Sequence, residues 1–353
     1  MDNPKLKLVT FAMATLLFTG VILLYHWSFS FSNQLVLFQK ESFCKQSNFT
    51  TTNIEAYGDA LDAALAKASM KNKTVIIAVV NKAYVEQDVE SDTTMFDIFL
   101  GNFWLGEGTR PLIDHLLIVA VDQTAYDRCQ FLKLNCFKLE TNDVGLEGET
   151  IYMSQNYIKM TWTKIQFVLE VLKRGYNFVF TDTDIMWLRN PFTRLGKNET
   201  EDFQISTDIY LGDPWSEKHL INTGFYFVRS NNKTISLFET WYGQKDNVTR
   251  KNDQDVLIDL IKIGIIKDLG LKVRFLDTLY FSGFCEDKKD FSAVITIHAN
   301  CCRSIIAKVK DMKAALRDWK RFKKLDVNST VNFQWTVHDW CWQSWGRPSK
   351  IKG

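Results

Sequence analysis

The sequence has almost no excess charge: 43 Lys and Arg stand against 41 Asp and Glu, a formal net charge of +2. No stripe of clustered Lys and Arg runs along it, so nothing would track a phosphate backbone and no nucleic-acid partner is expected. Internal repeats and low-complexity tracts are also missing, which excludes a solenoid or a tail of biased composition. There is no paired C-x-x-C pattern, and hence no structural zinc site of that kind. What is present is 353 residues, 46% of them hydrophobic. That is enough for one large globular domain, or two fused halves, with something extra at an end. Aromatics make up 14% of the chain, with 11 Trp. Such side chains fill cores and, where exposed, offer stacking surfaces to sugars.

One stretch lacks charge altogether. Residues 8–25 read LVTFAMATLLFTGVILLY, about 27 Å as a helix and close to the thickness of a bilayer core. Lys5 and Lys7 precede it, and the next charge is Lys40. Positive residues stay on the cytosolic side, so the bulk of the chain is expected in the lumen. Tyr25, His26 and Trp27 offer no small-residue cleavage site, which favours an uncleaved anchor over a signal peptide. The expected organisation is a cytosolic tail at 1–7, a transmembrane signal anchor at 8–25, a stem at 26–54, a catalytic domain at 55–325 and a Trp-rich tail at 326–353 packed back on that domain. The N-x-S/T pattern occurs at Asn48, Asn72, Asn198, Asn232, Asn247 and Asn328, in keeping with a lumenal address. Seven cysteines, Cys44, Cys129, Cys136, Cys285, Cys301, Cys302 and Cys341, are expected to pair in part in an oxidising lumen, and the odd count leaves at least one unpaired within the chain. Cys129 and Cys136 flank six residues that a helix-to-strand turn can close, and Cys285 has Cys301 or Cys302 as a partner.

From residue 56 onward the pattern alternates. Leu61, Ala64, Leu65 and Ala68 recur at helical spacing before an apolar strand at 75–80, and a second apolar strand at 116–121 ends at Asp122. A long helix at 152–174 stops at Gly175 and feeds a strand at 177–181. Further strands are expected at 203–206, 224–228, 273–276 and 294–298, and further helices at 234–242, 253–263 and 304–320. Strands alternating with helices predict an α/β fold with a mostly parallel central sheet flanked by helices, whose ligands sit at the carboxyl ends of the strands.

The strongest chemical signal is NFVFTDTDIMWLRNPF at 177–192. An apolar strand ends in Asp182-Thr183-Asp184. Two hard oxygen ligands at a strand tip suit Mn²⁺ or Mg²⁺, which in turn grips a diphosphate. The same acids would also serve as caps of a following helical turn. A phosphatase with an aspartyl nucleophile places D-x-D after a strand too, but Met186 and the motif's depth in the chain speak against it.

This stretch resembles the plant nucleotide-diphospho-sugar transferases of glycosyltransferase family 77, whose signature reads close to GYNFxFTDxDIMWLRNPF. The likeness extends over about residues 55–320. It implies a GT-A-type nucleotide-diphospho-sugar transferase fold, a type II Golgi membrane protein, and retaining transfer of arabinose, galactose or xylose from a UDP-sugar to a wall glycan or glycoprotein acceptor. It further implies that Asn222, in Asn222-Thr223-Gly224, reaches the donor sugar, although Asn and Gly are equally the residues of a plain turn. Asp253-Gln254-Asp255 resembles a D-Q-D helix start beside the reactive carbon, although an Asp N-cap would look the same. His298, ending a late strand, matches a third metal ligand. Lys164 matches a donor-contacting basic position. Thr183 and Asp122 are placed with the donor, Asp122 at the nucleoside. Relatives often carry a Gly and then a phosphate-gripping Lys. Here Cys301-Cys302-Arg303-Ser304 has no glycine, and Lys308 is preferred over Arg303 for that role. A decayed, catalytically inactive carbohydrate-binding protein on the same fold is the alternative, against which the intact Asp182, Asp184 and His298 speak.

Overall fold

The computed structural model describes residues 53–86, 93–140, 146, 148–149, 152–247, 250–286, 290–325 and 333–347. The proposed anchor, the stem up to residue 52, Cys44, Asn48 and Asn328 lie outside the described residues. Among the described residues no helix is long and apolar enough to cross a membrane.

The main sheet has seven strands in the order β3-β2-β1-β4-β7-β6-β8. These are β1 (Thr74–Val80), β2 (Leu116–Ala120), β3 (Asn135–Lys138), β4 (Asn177–Thr181), β6 (Phe203–Ile209), β7 (Leu220–Val228) and β8 (Val273–Phe275). β1 runs parallel to β2 and β4, and β2 to β3; β7 is antiparallel to both β4 and β6, and β6 is parallel to β8. A mostly parallel sheet is what the strand–helix alternation predicts, with β7 the single reversed strand.

Burial on both faces explains why the strands read as continuous apolar runs. In β1, Val75, Ile77 and Val79 enter one core, while Ile76, Ala78 and Val80 enter the other. β4 divides likewise: Phe178 and Phe180 pack on one side and Val179 on the other. The first core is closed by helices Gln155–Lys173, Asn232–Gly243 and Asp253–Lys262, the second by helix Met95–Leu105.

A second, three-stranded sheet has the order β5-β10-β9, with β5 (Ile185–Trp187), β9 (Phe281–Gly283) and β10 (Thr296–His298). The strand expected at 294–298 is therefore shorter and belongs to this smaller sheet, not to the main one. A third apolar cluster, with Met186, Ile297, Met312, Trp319 and Trp335, joins the small sheet to helix Ile305–Phe322. Trp335, within residues 333–347 of the C-terminal tail, packs on Phe291 with ring centroids 3.7 Å apart and planes tilted by 31°. Among the described residues three disulfides form: Cys129–Cys136, Cys285–Cys301 and Cys302–Cys341. The first was expected from its spacing, and the second selects Cys301 over Cys302. The third ties the tail to the domain and had no signal in the sequence, its partners being 39 residues apart.

Candidate active site

The acids of the D-x-D motif are the link between the two sheets. Asp182 still donates its backbone N–H to the Gly224 carbonyl of β7 at 2.7 Å, and Ile185 N–H closes a turn on the Asp182 carbonyl. The chain then leaves the main sheet and enters β5, which pairs antiparallel with β10 so that His298 lies opposite Ile185. The imidazole reaches the acids through β5, and not because β4 and β10 are neighbours in one sheet. His298 Nε2 stands 3.2 Å from Asp184 Oδ1, and ligand atoms of Asp182, Asp184 and His298 all fall within 4.8 Å of one another.

Two lysines complete the cluster. Lys164, on helix Gln155–Lys173, donates to Asp182 Oδ1 at 2.6 Å, and Lys308, on helix Ile305–Phe322, donates to Asp184 Oδ2 at 2.7 Å. Asp184 is buried although it follows the strand tip closely. Burial alone would raise its carboxyl, but Lys308 and His298 overrule it and hold it well below the usual carboxylate range. Burial opposes the charge on Lys308 and His298, and Asp184 reverses that for both, raising each above its ordinary value. Charge balance in the cleft thus rests on pairs, any member of which is costly to remove alone.

Gly224 gives the cluster its shape. A Cβ there would lie 2.5 Å from His298 Cε1 and 2.9 Å from both Asp182 Oδ2 and Asn222 Oδ1. The β6–β7 register slips between Ile205 and Ser206, and this irregularity holds Asn222 and Gly224 at the cleft inside β7, which starts at Leu220 and not at Gly224 as expected. Asn222 Oδ1 accepts from Gly224 N at 2.8 Å, a turn-like bond, while its Nδ2 donates to Asp208 Oδ1 at 3.0 Å. Asn300 Nδ2 donates to the same Asp208 oxygen at 2.6 Å. A donor set of two carboxylates and an imidazole, with a cradle that a methyl group would fill, fits a divalent cation such as Mn²⁺ or Mg²⁺.

Helix Asp253–Lys262 supplies the other wall. Its cap is Asn252, whose side chain accepts from Asp255 N at 2.8 Å, so Asp253 is the first helical residue and not the cap. Gln254 lines the cleft and its Oε1 accepts from Thr223 N at 3.1 Å. Asp253 is buried behind it, and burial, opposed by Lys164, pushes its carboxyl up to about 6. Neither Asp253 nor Asp255 is among the residues that line the cleft. Asp122 does not line it either; its Oδ1 accepts from Ala125 N at 2.8 Å and its Oδ2 from Lys82 N at 2.6 Å. Thr183 is buried and lines the cleft. Arg303 points its guanidinium over Trp345 instead, leaving the inner position to Lys308.

The model of nucleotide-diphospho-sugar transferases matches residues 111–312, more than half of the chain and every residue of the cluster just described. The chain belongs to the nucleotide-diphospho-sugar transferase family. An uncharacterized protein of Arabidopsis thaliana is 54% identical over 290 residues, covering 81% of this chain and 84% of that protein. Another uncharacterized protein of the same plant is 36% identical, covering 86% of this chain and 79% of its own. A beta-arabinofuranosyltransferase of Arabidopsis thaliana is 26% identical over 187 residues, covering 51% of this chain and 31% of that enzyme. The protein is accordingly a glycosyltransferase. The transferase cleft also contains residues that sequence reasoning missed: Tyr84, Tyr157, Asp208, Asn252 and Asn300. Asp208 could have been sought at the end of its strand, but the apolar run ends at Ile205 and gives no sign that β6 continues to Ile209. Tyr84 and Tyr157 carry no motif at all.

Proposed function

We propose that this transferase is metal-dependent and retaining. It moves a sugar of the arabinose, galactose or xylose class from a UDP-sugar to a wall-glycan or glycoprotein acceptor. The observation that carries the reading is the convergence of Asp182, Asp184 and His298, flanked by Lys164 and Lys308, around the Cβ-sized gap at Gly224. A divalent ion held by those three ligands would neutralise charge on the diphosphate as the anomeric bond breaks. Lys164 and Lys308 add compact positive charge in the same partly enclosed cleft, where each charge acts more strongly than in water. Asn222, Asp208 and Asn300 form a bonded row beside the ligands, fit to hold sugar hydroxyls in register. Gln254 is the member of Asp253-Gln254-Asp255 that faces the cleft, and an amide is a poor nucleophile. That supports same-face attack over a covalent enzyme intermediate. The test is a panel of UDP-sugars with the purified lumenal domain. At least one donor is expected to be hydrolysed with Mn²⁺ and to be stable with a chelator. No metal-dependent turnover of any donor would remove the proposal.

We place the protein in the Golgi as a single-pass type II membrane protein. The support is Lys5 and Lys7 before the uncharged 8–25 stretch, three disulfides, and sequon asparagines Asn72, Asn198, Asn232 and Asn247 that are all exposed. Enzymatic removal of N-glycans from the full-length protein made in plant cells is expected to increase its gel mobility. An unchanged band together with protease access from the cytosolic side sinks this placement.

A further inference from the structure

Many of the large aromatics among the described residues are core. Trp187, Trp241 and Trp319 are fully buried. Two aromatics that line the cleft are different: Tyr152 is 41% exposed and Trp345 is 39% exposed. They lie far apart along the chain, and their ring centroids meet at 6.2 Å with planes inclined by 61°. Among the described residues, neither belongs to one of the three apolar cores.

Both are held in place. Trp345 donates its indole N–H to the Cys301 carbonyl at 2.8 Å. Its segment is fastened by the Cys302–Cys341 disulfide and by the Arg303 N–H bond to Ser344 Oγ at 3.0 Å. Tyr152 meets Tyr157 at 5.2 Å on its other side. A ring fixed at the mouth of a polar cleft loses little freedom on binding, which favours stacking on a ligand.

Position decides which ligand. The diphosphate end is marked by Lys164, Lys308 and the metal ligands. Asn222, Asp208 and Gln254 mark the side where the donor's sugar is expected. Tyr152 lines the cleft together with Asp208, Asn222, Gln254 and Asn252, the cap of the helix that carries Gln254. Val79, Asn81 and Tyr84, at and just after the end of β1, also line the cleft and are left for the nucleoside. We infer that Tyr152 and Trp345 form a saccharide platform on which the acceptor's terminal sugar ring stacks, presenting a hydroxyl to the donor beside Asp208. The apolar C–H face of a sugar ring suits an aromatic face, while its hydroxyls need the neighbouring polar groups. This assignment rests on the transferase reading proposed above.

The test separates the two. The full lumenal domain, with Mn²⁺ and UDP present, is titrated with arabinose-, galactose- and xylose-terminated trisaccharides, followed by calorimetry and tryptophan fluorescence. Wild type is expected to bind at least one trisaccharide. Trp345→Ala should weaken that binding by about tenfold, the scale of one aromatic contact, while Trp345→Phe and Tyr152→Phe recover most of it. UDP affinity and Tm should be unchanged in all three, because Trp345 is at the surface and the disulfide that holds its segment is untouched. The platform is overturned if no trisaccharide binds wild type, if Trp345→Ala binds as wild type does, or if Trp345→Ala weakens UDP instead, which would make the pair a nucleoside site. Failure of the transferase reading shows separately, as the absence of metal-dependent hydrolysis of any UDP-sugar.

Discussion

Asp184→Ala is expected to lower the transfer rate on the order of a thousandfold or more, because several kcal/mol of transition-state stabilisation depend on that carboxylate. It is also expected to destabilise the protein. Asp184 is buried and accepts from Lys308 Nζ at 2.7 Å with His298 Nε2 at 3.2 Å. Removing it leaves an ammonium group in the cleft without its partner, and breaking a buried pair costs about 3–5 kcal/mol. Lys308 keeps some solvent contact, its side chain being 20% exposed, so the lower end of that range applies. An acid on an open strand tip would have been removable at little cost. This one is not. The two consequences are separated by Asp184→Asn, which keeps a side-chain oxygen for Lys308 to bond while losing the charge that would hold a cation. The measurements are turnover of a UDP-sugar with Mn²⁺ and the thermal midpoint of each variant. Full turnover in Asp184→Asn ends the metal-ligand assignment. An unshifted midpoint in Asp184→Ala ends the claim that the pair is structurally coupled.

Gly224→Ala is the second substitution with a large expected effect, and it removes no functional group. The backbone at this position can accept alanine, as Gly224 is not among the glycines with positive φ. The difficulty is space alone: the new methyl would stand 2.5 Å from His298 Cε1 and 2.9 Å from Asp182 Oδ2. Both are proposed ligands, so the site must open to admit it. A displacement of about 1 Å at reacting groups is worth about a hundredfold in rate, and overpacking costs about 1–3 kcal/mol. A loss of activity near a hundredfold with weaker Mn²⁺ affinity, by titration, is the expected result. Unchanged metal affinity and rate would mean that the imidazole and the carboxylate are not held where the site needs them.

Much of this arrangement is legible along the chain. The apolar run of β4 ending in Asp182 is local information, and so is the spacing that closes Cys129–Cys136. The residues after the acids look like mere punctuation, yet they fasten the second sheet. Arg189 donates to the carbonyls of Phe291 at 2.7 Å and Val294 at 2.5 Å, and Asn190 caps the short turn Pro191–Thr193. Trp187 is buried with its indole N–H on Thr181 Oγ1 at 3.2 Å. A long motif of this kind is therefore partly chemistry and partly the hinge between two sheets.

Asp208 and Asn300 could not be found this way, because the bond that joins them spans 92 residues. Periodicity reports which face of an element is buried, not which distant element covers it. The same limit applies to Asp122, which was expected at the nucleoside and instead accepts from the N–H groups of Ala125 and Lys82.

The sequence by itself determined the residue types at the strand ends, the alternation that buries both faces of the sheet, and the presence of two carboxylates with a late histidine. Those are properties of short windows, in which side-chain period and chain turns are settled by neighbours a few residues away. Only the tertiary structure decided that β5 leaves the main sheet to pair with β10, that Lys164 and Lys308 take one carboxylate each, and that Asp184 is buried while Trp345 is not. Desolvation and charge pairing depend on what closes over a group from elsewhere in the chain, and that is fixed by packing between elements that no local window contains.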